Sequence, residues 1–236
     1  MNSGVWGEFI EAHAEQHPNI TTQCIDLPGY GTQVGIEGVS SIEAMAQHCL
    51  DQVERPSIWV GWSLGGMVAM QAACMKPSAV DAMQLICTSP KFIADDDWPE
   101  GVDLENFRLF SKQLAEDYQR TLTLFLLMQA GSSRGARDLA QSAHKAICQW
   151  PDPSETTLSR GIDCLAETDL RGQIERLSMP IQVISGLKDR VAKPEGSARL
   201  ARTLDAELIE LETGHAPFMT QPEAVLSALL DLIECV

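Results

Sequence analysis

Ser63 is the residue around which chemistry can be built. It stands in Gly61-Trp62-Ser63-Leu64-Gly65-Gly66, with a glycine two positions away on either side. A short apolar run over 57–60 precedes it, and a segment rich in Ala and Met follows over 67–74. Strand, sharp turn and helix, with a hydroxyl at the apex, hold a nucleophile clear of its own backbone. Gly61 and Gly65 are expected to spare the turn the Cβ atoms that would collide across it.

A serine hydroxyl attacks only when a base takes its proton and a third group orients that base. The chain has five histidines, at 13, 17, 48, 144 and 215. Only His215 follows a C-terminal strand pattern, in the loop Thr213-Gly214-His215-Ala216-Pro217-Phe218. His13 and His17 fall on a helical pattern and read as a partly buried residue and a helix-end cation. The acid is assigned to Asp189, in Gly186-Leu187-Lys188-Asp189-Arg190 at the end of the preceding strand pattern. Asp26 also ends an apolar run, but it precedes Ser63 and sits in the turn Asp26-Leu27-Pro28-Gly29-Tyr30-Gly31. A simple turn carboxylate paired with Lys188 or Arg190 is the plainer reading of Asp189. The chain order nucleophile, acid, histidine is that of an α/β-hydrolase, and the chemistry expected is acyl transfer through an acyl-enzyme. The backbone N–H of Leu64 supplies one donor for the developing oxyanion. The second donor comes, in this fold, from a loop after an earlier strand. No such loop is found here, and losing one donor costs on the order of 100- to 1000-fold in rate.

Positioning these groups requires a parallel sheet. Helical patterns over 5–17 and 41–52 alternate with strand patterns over 20–25, 57–60 and 82–87, and a Ser40–Glu43 capping box opens the second helix. From 91 to 169 the alternation stops, and helical patterns over 104–115, 117–129 and 135–148 read as a lid inserted between two strands. The sheet resumes over 180–186, followed by a helix over 196–204, a strand over 207–211 and a closing helix over 222–236. The expected organisation is a core in two parts, 1–90 and 170–236, around a lid at 91–169. The second lid helix, carrying Leu122, Leu124, Phe125, Leu126, Leu127 and Met128, is apolar nearly all round and is expected to be buried on two sides. Its Phe125 face is the candidate lining of an acyl slot.

Composition narrows the setting. The 236 residues are 44% hydrophobic and 21% charged, ordinary for a globular protein with a sizeable core. A formal charge of −16 argues against a nucleic-acid or anionic-membrane partner. Seven cysteines without C-x-x-C spacing read as reduced core thiols, with no metal or cofactor site implied. The first residues lack the basic and apolar stretches of a signal peptide, and no apolar run is long enough to span a bilayer, so a cytoplasmic monomer is expected.

The motifs Gly61-Trp62-Ser63-Leu64-Gly65-Gly66, Asp26-Leu27-Pro28-Gly29-Tyr30-Gly31, Asp97-Trp98-Pro99 and His215-Ala216-Pro217-Phe218 together resemble the pimeloyl-acyl-carrier-protein methyl ester esterases of biotin synthesis. The likeness covers essentially the whole chain, including the lid segment Asp117-Tyr118-Gln119-Arg120-Thr121. It implies hydrolysis of a pimeloyl methyl ester held on acyl-carrier protein. It also implies a substrate-contacting set of Trp62, Ser63, Leu64, Phe125, Leu126, Leu127, Met128, Gln129 and His215. Carrier docking would fall to Arg120 and Arg137, while Leu124 and Gln141 stand where the family carries two further basic residues. Between Arg108 and Cys148 there are six basic and three acidic residues, a local excess of positive charge in an acidic chain. The family has additional strands ahead of the position of Met1, one of them central to the sheet, so Met1 is expected to be an internal methionine of a longer native protein. Two other readings stand beside this one: a short-chain esterase or carbon–carbon bond hydrolase with the same triad, and a binding module impaired by its half-encoded oxyanion hole.

Overall fold

The computed structural model describes residues 1–37, 39, 41–131 and 135–236. Four parallel strands form the described sheet: β1 (Ser57–Trp62), β2 (Val80–Ile86), β3 (Ile181–Gly186) and β4 (Glu207–Leu211), ordered β1-β2-β3-β4. Ahead of it come α1 (Gly7–Gln16), entered through a 3-10 turn at Ser3–Trp6, and α2 (Ile42–Leu50). The helix α3 (Leu64–Met75) connects β1 to β2.

Four long helices separate β2 from β3: α4 (Leu104–Glu116), α5 (Tyr118–Ala130), α6 (Ala136–Ile147) and α7 (Glu155–Glu167), followed by the short α8 (Arg171–Ile174). The chain closes with α9 (Pro194–Leu204), α10 (Pro217–Thr220) and α11 (Pro222–Ile233). The helix α7 has no counterpart in the sequence reading; its apolar positions Leu158, Ile162, Cys164 and Leu165 are interrupted by Gly161, which weakens the pattern. Among the described residues no helix is long and apolar enough to cross a membrane.

The two sheet faces carry separate cores. Met83, Leu85 and Val183 pack with Met45, Met67, Val68 and Leu200 from α2, α3 and α9. Ile86 and Ile184 pack on the other side with Phe9, Leu126, Phe218 and Leu226 from α1, α5, α10 and α11. The alternation along β2 and β3 is the period-2 consequence of strand geometry, and burial on both faces explains why these runs are almost wholly apolar. Gln84 and Gln182 are two of the exceptions, beside the exposed Asp81 and the buried Ser185. The two glutamines lie in register on adjacent strands, and Gln182 Nε2 donates to Glu207 Oε2 at 2.9 Å, giving the sheet a polar rung.

Several sequence expectations need correction. The strand over 20–25 does not form; residues 21–24 are exposed coil along one wall of a large cavity. A strand needs a neighbour to take its N–H and C=O groups, and among the described residues no ladder joins this segment to the sheet. β1 is accordingly an edge strand: among the described residues it pairs with β2 alone, and 57–60 line the same cavity, of about 1960 Å³. Ser41, not Ser40, caps α2, its hydroxyl accepting from Ala44 N at 3.2 Å; Ser40 lies outside the described residues. The helix α5 is not buried all round, since Leu124, Leu127 and Met128 are exposed. All seven cysteines are free, but Cys24, Cys148 and Cys235 are exposed and so are not core thiols.

The insertion between β2 and β3 begins and ends at one place. Lys91 and Asp169 form an antiparallel bridge, Leu170 N donates to Pro90 O at 2.9 Å, and Arg171 Nη2 meets Asp169 Oδ2 at 2.6 Å. Arg171 chiefly draws the Asp169 carboxyl down to about 2. Because that lies below the ordinary value of about 4, the pair stabilises the fold above pH 4 and loses its effect as pH falls through 2. Asp169→Asn is therefore expected to destabilise the protein by less than about 1 kcal/mol at neutral pH, since the pair is partly exposed. Urea titrations should show that gap closing as the pH approaches 2.

Candidate active site

Ser63 sits where β1 turns into α3, with φ 53° and ψ −120°. A left-handed φ at a residue with a Cβ costs on the order of 1–3 kcal/mol and persists only when the surroundings hold it. The holding contacts are visible. Ser63 N donates to Ile86 O at 3.1 Å, and Thr88 Oγ1 donates to Ser63 O at 2.7 Å. A Cβ on Gly61 would lie 2.7 Å from Gly65 O, and one on Gly66 would lie 2.6 Å from the Thr88 side chain. Gly65, expected to be sterically required, has open space at its Cβ position; Gly66 is the second glycine the turn needs.

Ser63 O accepts from Gly66 N and Met67 N. Leu64 N, at the first position of α3, has no preceding carbonyl within the helix to bond and lies at the positive end of the helix dipole. Ser63, Leu64, Trp62 and His215 all line the large cavity beside β1.

His215 and Asp189 meet across two loops. His215 Nδ1 is 2.7 Å from Asp189 Oδ2, with both side chains almost fully buried. The other carboxylate oxygen, Asp189 Oδ1, accepts from Val191 N at 2.7 Å and Ala192 N at 3.0 Å. Lys188 instead pairs with Glu212 at 3.1 Å, so Asp189 is not committed to a neighbouring cation. Asp26 plays a structural part, accepting from Ser3 N, Thr32 N and Thr32 Oγ1. His13 is buried and contacts Thr22 Oγ1 through Nδ1 at 3.3 Å.

Two features of this centre were not legible in the sequence. Cys87, with φ 45° just past β2, brings its sulfur within 4.8 Å of the Asp189 and His215 ligand atoms. Burial, reinforced by the Asp189 charge, pushes its thiol well up, so the sulfur stays protonated. Within the trio His215 Nδ1 meets Asp189 Oδ2, while Cys87 Sγ donates to Gly214 O at 3.8 Å. The second feature is a clamp on the His215 backbone. Trp62 Nε1 donates to His215 O at 2.6 Å, and His215 N donates to Gln129 Oε1 at 3.0 Å.

The five-residue stretch 125–129 divides. Phe125 and Met128 line the cavity, and the Phe125 ring lies 6.4 Å from Trp62 and 6.1 Å from His215. Leu126 is fully buried in the second core, Leu127 points outward, and Gln129 is buried behind His215. A helix turns 100° per residue, so five consecutive side chains cannot share one wall. Arg120 and Arg137 are both exposed, on α5 and α6, which pack together; among the described residues neither enters an ion pair. Arg134, part of the basic excess, lies outside the described residues.

Known proteins share this sequence pattern and this fold. Residues 1–222 match the family model described as alpha/beta hydrolase fold. A pimeloyl-[acyl-carrier protein] methyl ester esterase of Klebsiella pneumoniae is 38% identical over 235 residues, spanning 98% of this chain and 89% of the relative. The protein of the same name from Methylococcus capsulatus is 33% identical over 236 residues, covering 99% and 91% of the two chains. Among solved structures, an esterase from Exiguobacterium antarcticum superposes with a TM-score of 0.85 at 19% identity, over 99% of this chain and 88% of the other. A hydrolase from Oleispira antarctica gives 0.83 at the same identity, over 99% and 87%. The structural likeness establishes the fold, and the sequence likeness the lineage. This chain is a carboxylic ester hydrolase of the α/β-hydrolase family and belongs, within it, to the pimeloyl-[acyl-carrier protein] methyl ester esterases.

Proposed function

We propose that this protein hydrolyses the methyl ester of a pimeloyl chain carried on acyl-carrier protein, in biotin synthesis, with Ser63 as nucleophile, His215 as general base and acid, and Asp189 as the orienting carboxylate. The observation that supports the triad most directly is the buried 2.7 Å contact between His215 Nδ1 and Asp189 Oδ2, on the wall of the cavity that Ser63 also lines. With Nδ1 donating to the carboxylate, Nε2 is the lone-pair nitrogen, and it accepts the Ser63 proton as Oγ attacks the ester carbonyl. The oxyanion forms against Leu64 N. His215 then hands its proton to the methanol leaving group, and water attacks the acyl-enzyme with the same histidine as base.

The helices between Lys91 and Asp169 act as a lid in this reading. The acyl chain runs past Trp62, Phe125 and Met128, and the acidic carrier docks on the outer face through Arg120 and Arg137. Exposed cations near a slot mouth steer an anionic partner and weaken with salt. A cytoplasmic monomer suffices for this reaction.

A fluorophosphonate probe tests the nucleophile: an adduct on Ser63 is expected, and its absence would overturn the assignment of Ser63. Substrate choice is tested by comparing pimeloyl-carrier methyl ester with a p-nitrophenyl ester. Arg120→Glu combined with Arg137→Glu is expected to lower kcat/KM for the carrier-bound substrate by about tenfold, roughly 1.4 kcal/mol, and to leave the small ester unaffected. An equal loss on both substrates would remove the docking role.

A further inference from the structure

We propose that Gln129 is a positioning residue for His215: its side-chain oxygen, delivered by α5, holds the histidine's peptide N–H while Trp62 holds the same residue's carbonyl. The base is then in register with Ser63 only while α5 is seated. This inference rests on the reading of Ser63, Asp189 and His215 as a triad.

Three observations carry it. The first is the bond itself. His215 N lies 3.0 Å from Gln129 Oε1, buried, between residues 86 apart in the chain. A backbone N–H can only donate, so the amide must present its oxygen there. The second is what this orientation leaves behind. Gln129 is 3% exposed, and its Nε2 is buried without a hydrogen-bond partner. A buried donor left unpaired is a cost that Met or Leu at this position would avoid. What a glutamine adds over those residues is the acceptor facing His215. The third is location. Gln129 does not line the cavity, so substrate does not reach it, and it lies in the last turn of α5, whose Leu122, Leu126 and Ala130 pack in the core containing Ala216 and Phe218.

His215 is thus gripped from three separate elements. The Asp189 loop holds its ring, β1 holds its carbonyl through Trp62 Nε1 at 2.6 Å, and the insertion holds its N–H. Asp189 alone leaves the imidazole free to swing about the carboxylate with the loop. The two peptide contacts fix the plane from which the ring projects. Because one of them comes from a helix of the insertion, any displacement of α5 is transmitted to the base.

Gln129→Met removes the acceptor at nearly constant volume, and Gln129→Glu keeps an oxygen in its place. With p-nitrophenyl butyrate as substrate, Gln129→Met is expected to lower kcat by about 10- to 100-fold, with KM changed by less than about twofold. Gln129→Glu should restore kcat to within about fivefold of the parent. It should also move the acid limb of the kcat/KM profile upward, because a nearby carboxylate favours the imidazolium. A wild-type kcat in Gln129→Met, or a raised KM at unchanged kcat, would overturn the proposal, the second by making Gln129 a substrate contact. Should Gln129→Met not fold, Gln129→Asn, a methylene too short to reach, is the second variant, and wild-type kcat in it would count equally against the proposal. The far-downfield proton resonance of His215 Nδ1–H gives a readout independent of turnover. It should broaden or shift in Gln129→Met and persist in Gln129→Glu, and an unchanged line in Gln129→Met overturns the clamp. If the parent protein takes no fluorophosphonate on Ser63, the triad reading fails instead, and this resonance still decides the clamp.

Discussion

Ser63→Ala is expected to abolish ester turnover, lowering kcat by about 10⁵- to 10⁶-fold while leaving the fold intact. The size follows from the role proposed for Oγ: it would supply the new bond, and no positioned group would replace it. Cys87 is the other potential nucleophile near the centre, but its thiol is buried and held protonated, and it faces Asp189 and His215 rather than the slot. Stability should hardly change, because the strained φ of 53° belongs to the backbone and is maintained by contacts to Ser63 N and O, which alanine keeps. Steady-state kinetics on purified protein, with circular dichroism as control, measures both. A variant within tenfold of the parent would mean that Ser63 is not the nucleophile.

Asp189→Asn should cost about 10⁴-fold in kcat, more than the loss of one charge suggests. The hydrogen-bond pattern dictates why. Asp189 Oδ1 accepts from Val191 N and Ala192 N, so an asparagine must place its carbonyl there to keep both bonds. Its NH₂ group then points at His215 Nδ1. Faced with a donor, the imidazole accepts at Nδ1 and carries its proton on Nε2, which leaves no lone pair for Ser63. The variant folds and keeps its geometry but holds the wrong tautomer. Kinetics should show the loss in kcat, and the downfield Nδ1–H resonance should vanish. Retention of both would argue that Asp189 is structural only.

Particular elements show how far the chain could be read in one dimension. The elbow was legible because its requirements are local: two small residues, a strand former before and helix formers after. The candidate base and acid were legible because fold topology orders them along the chain. Local rules also misplaced some features. Gly65 looked obligatory, yet the close approach to Thr88 belongs to Gly66, and only the juxtaposition of α3 with the end of β2 reveals it. Residues 20–25 have strand propensity, but a strand also needs an edge within hydrogen-bonding reach, and they line the same cavity as the free edge of β1 without pairing to it. The helix α5 looked buried all round from composition alone, whereas its packing on the core leaves Leu124, Leu127 and Met128 on the surface.

The sequence by itself determined the fold class and pointed to Ser63, Asp189 and His215 as candidates, the turn at Ser63 from residue types within a short window and the other two from their order along the chain. The tertiary structure alone decided that Cys87 joins the Asp189–His215 pair, that Trp62 and Gln129 clamp the histidine peptide, and that Phe125 and Met128 rather than the whole 125–129 stretch face the cavity. These contacts join groups far apart in the chain, as the separations of 86 and 153 for Gln129 and Trp62 from His215 illustrate. Hydrogen bonds act over about 3 Å in space and are indifferent to distance along the chain.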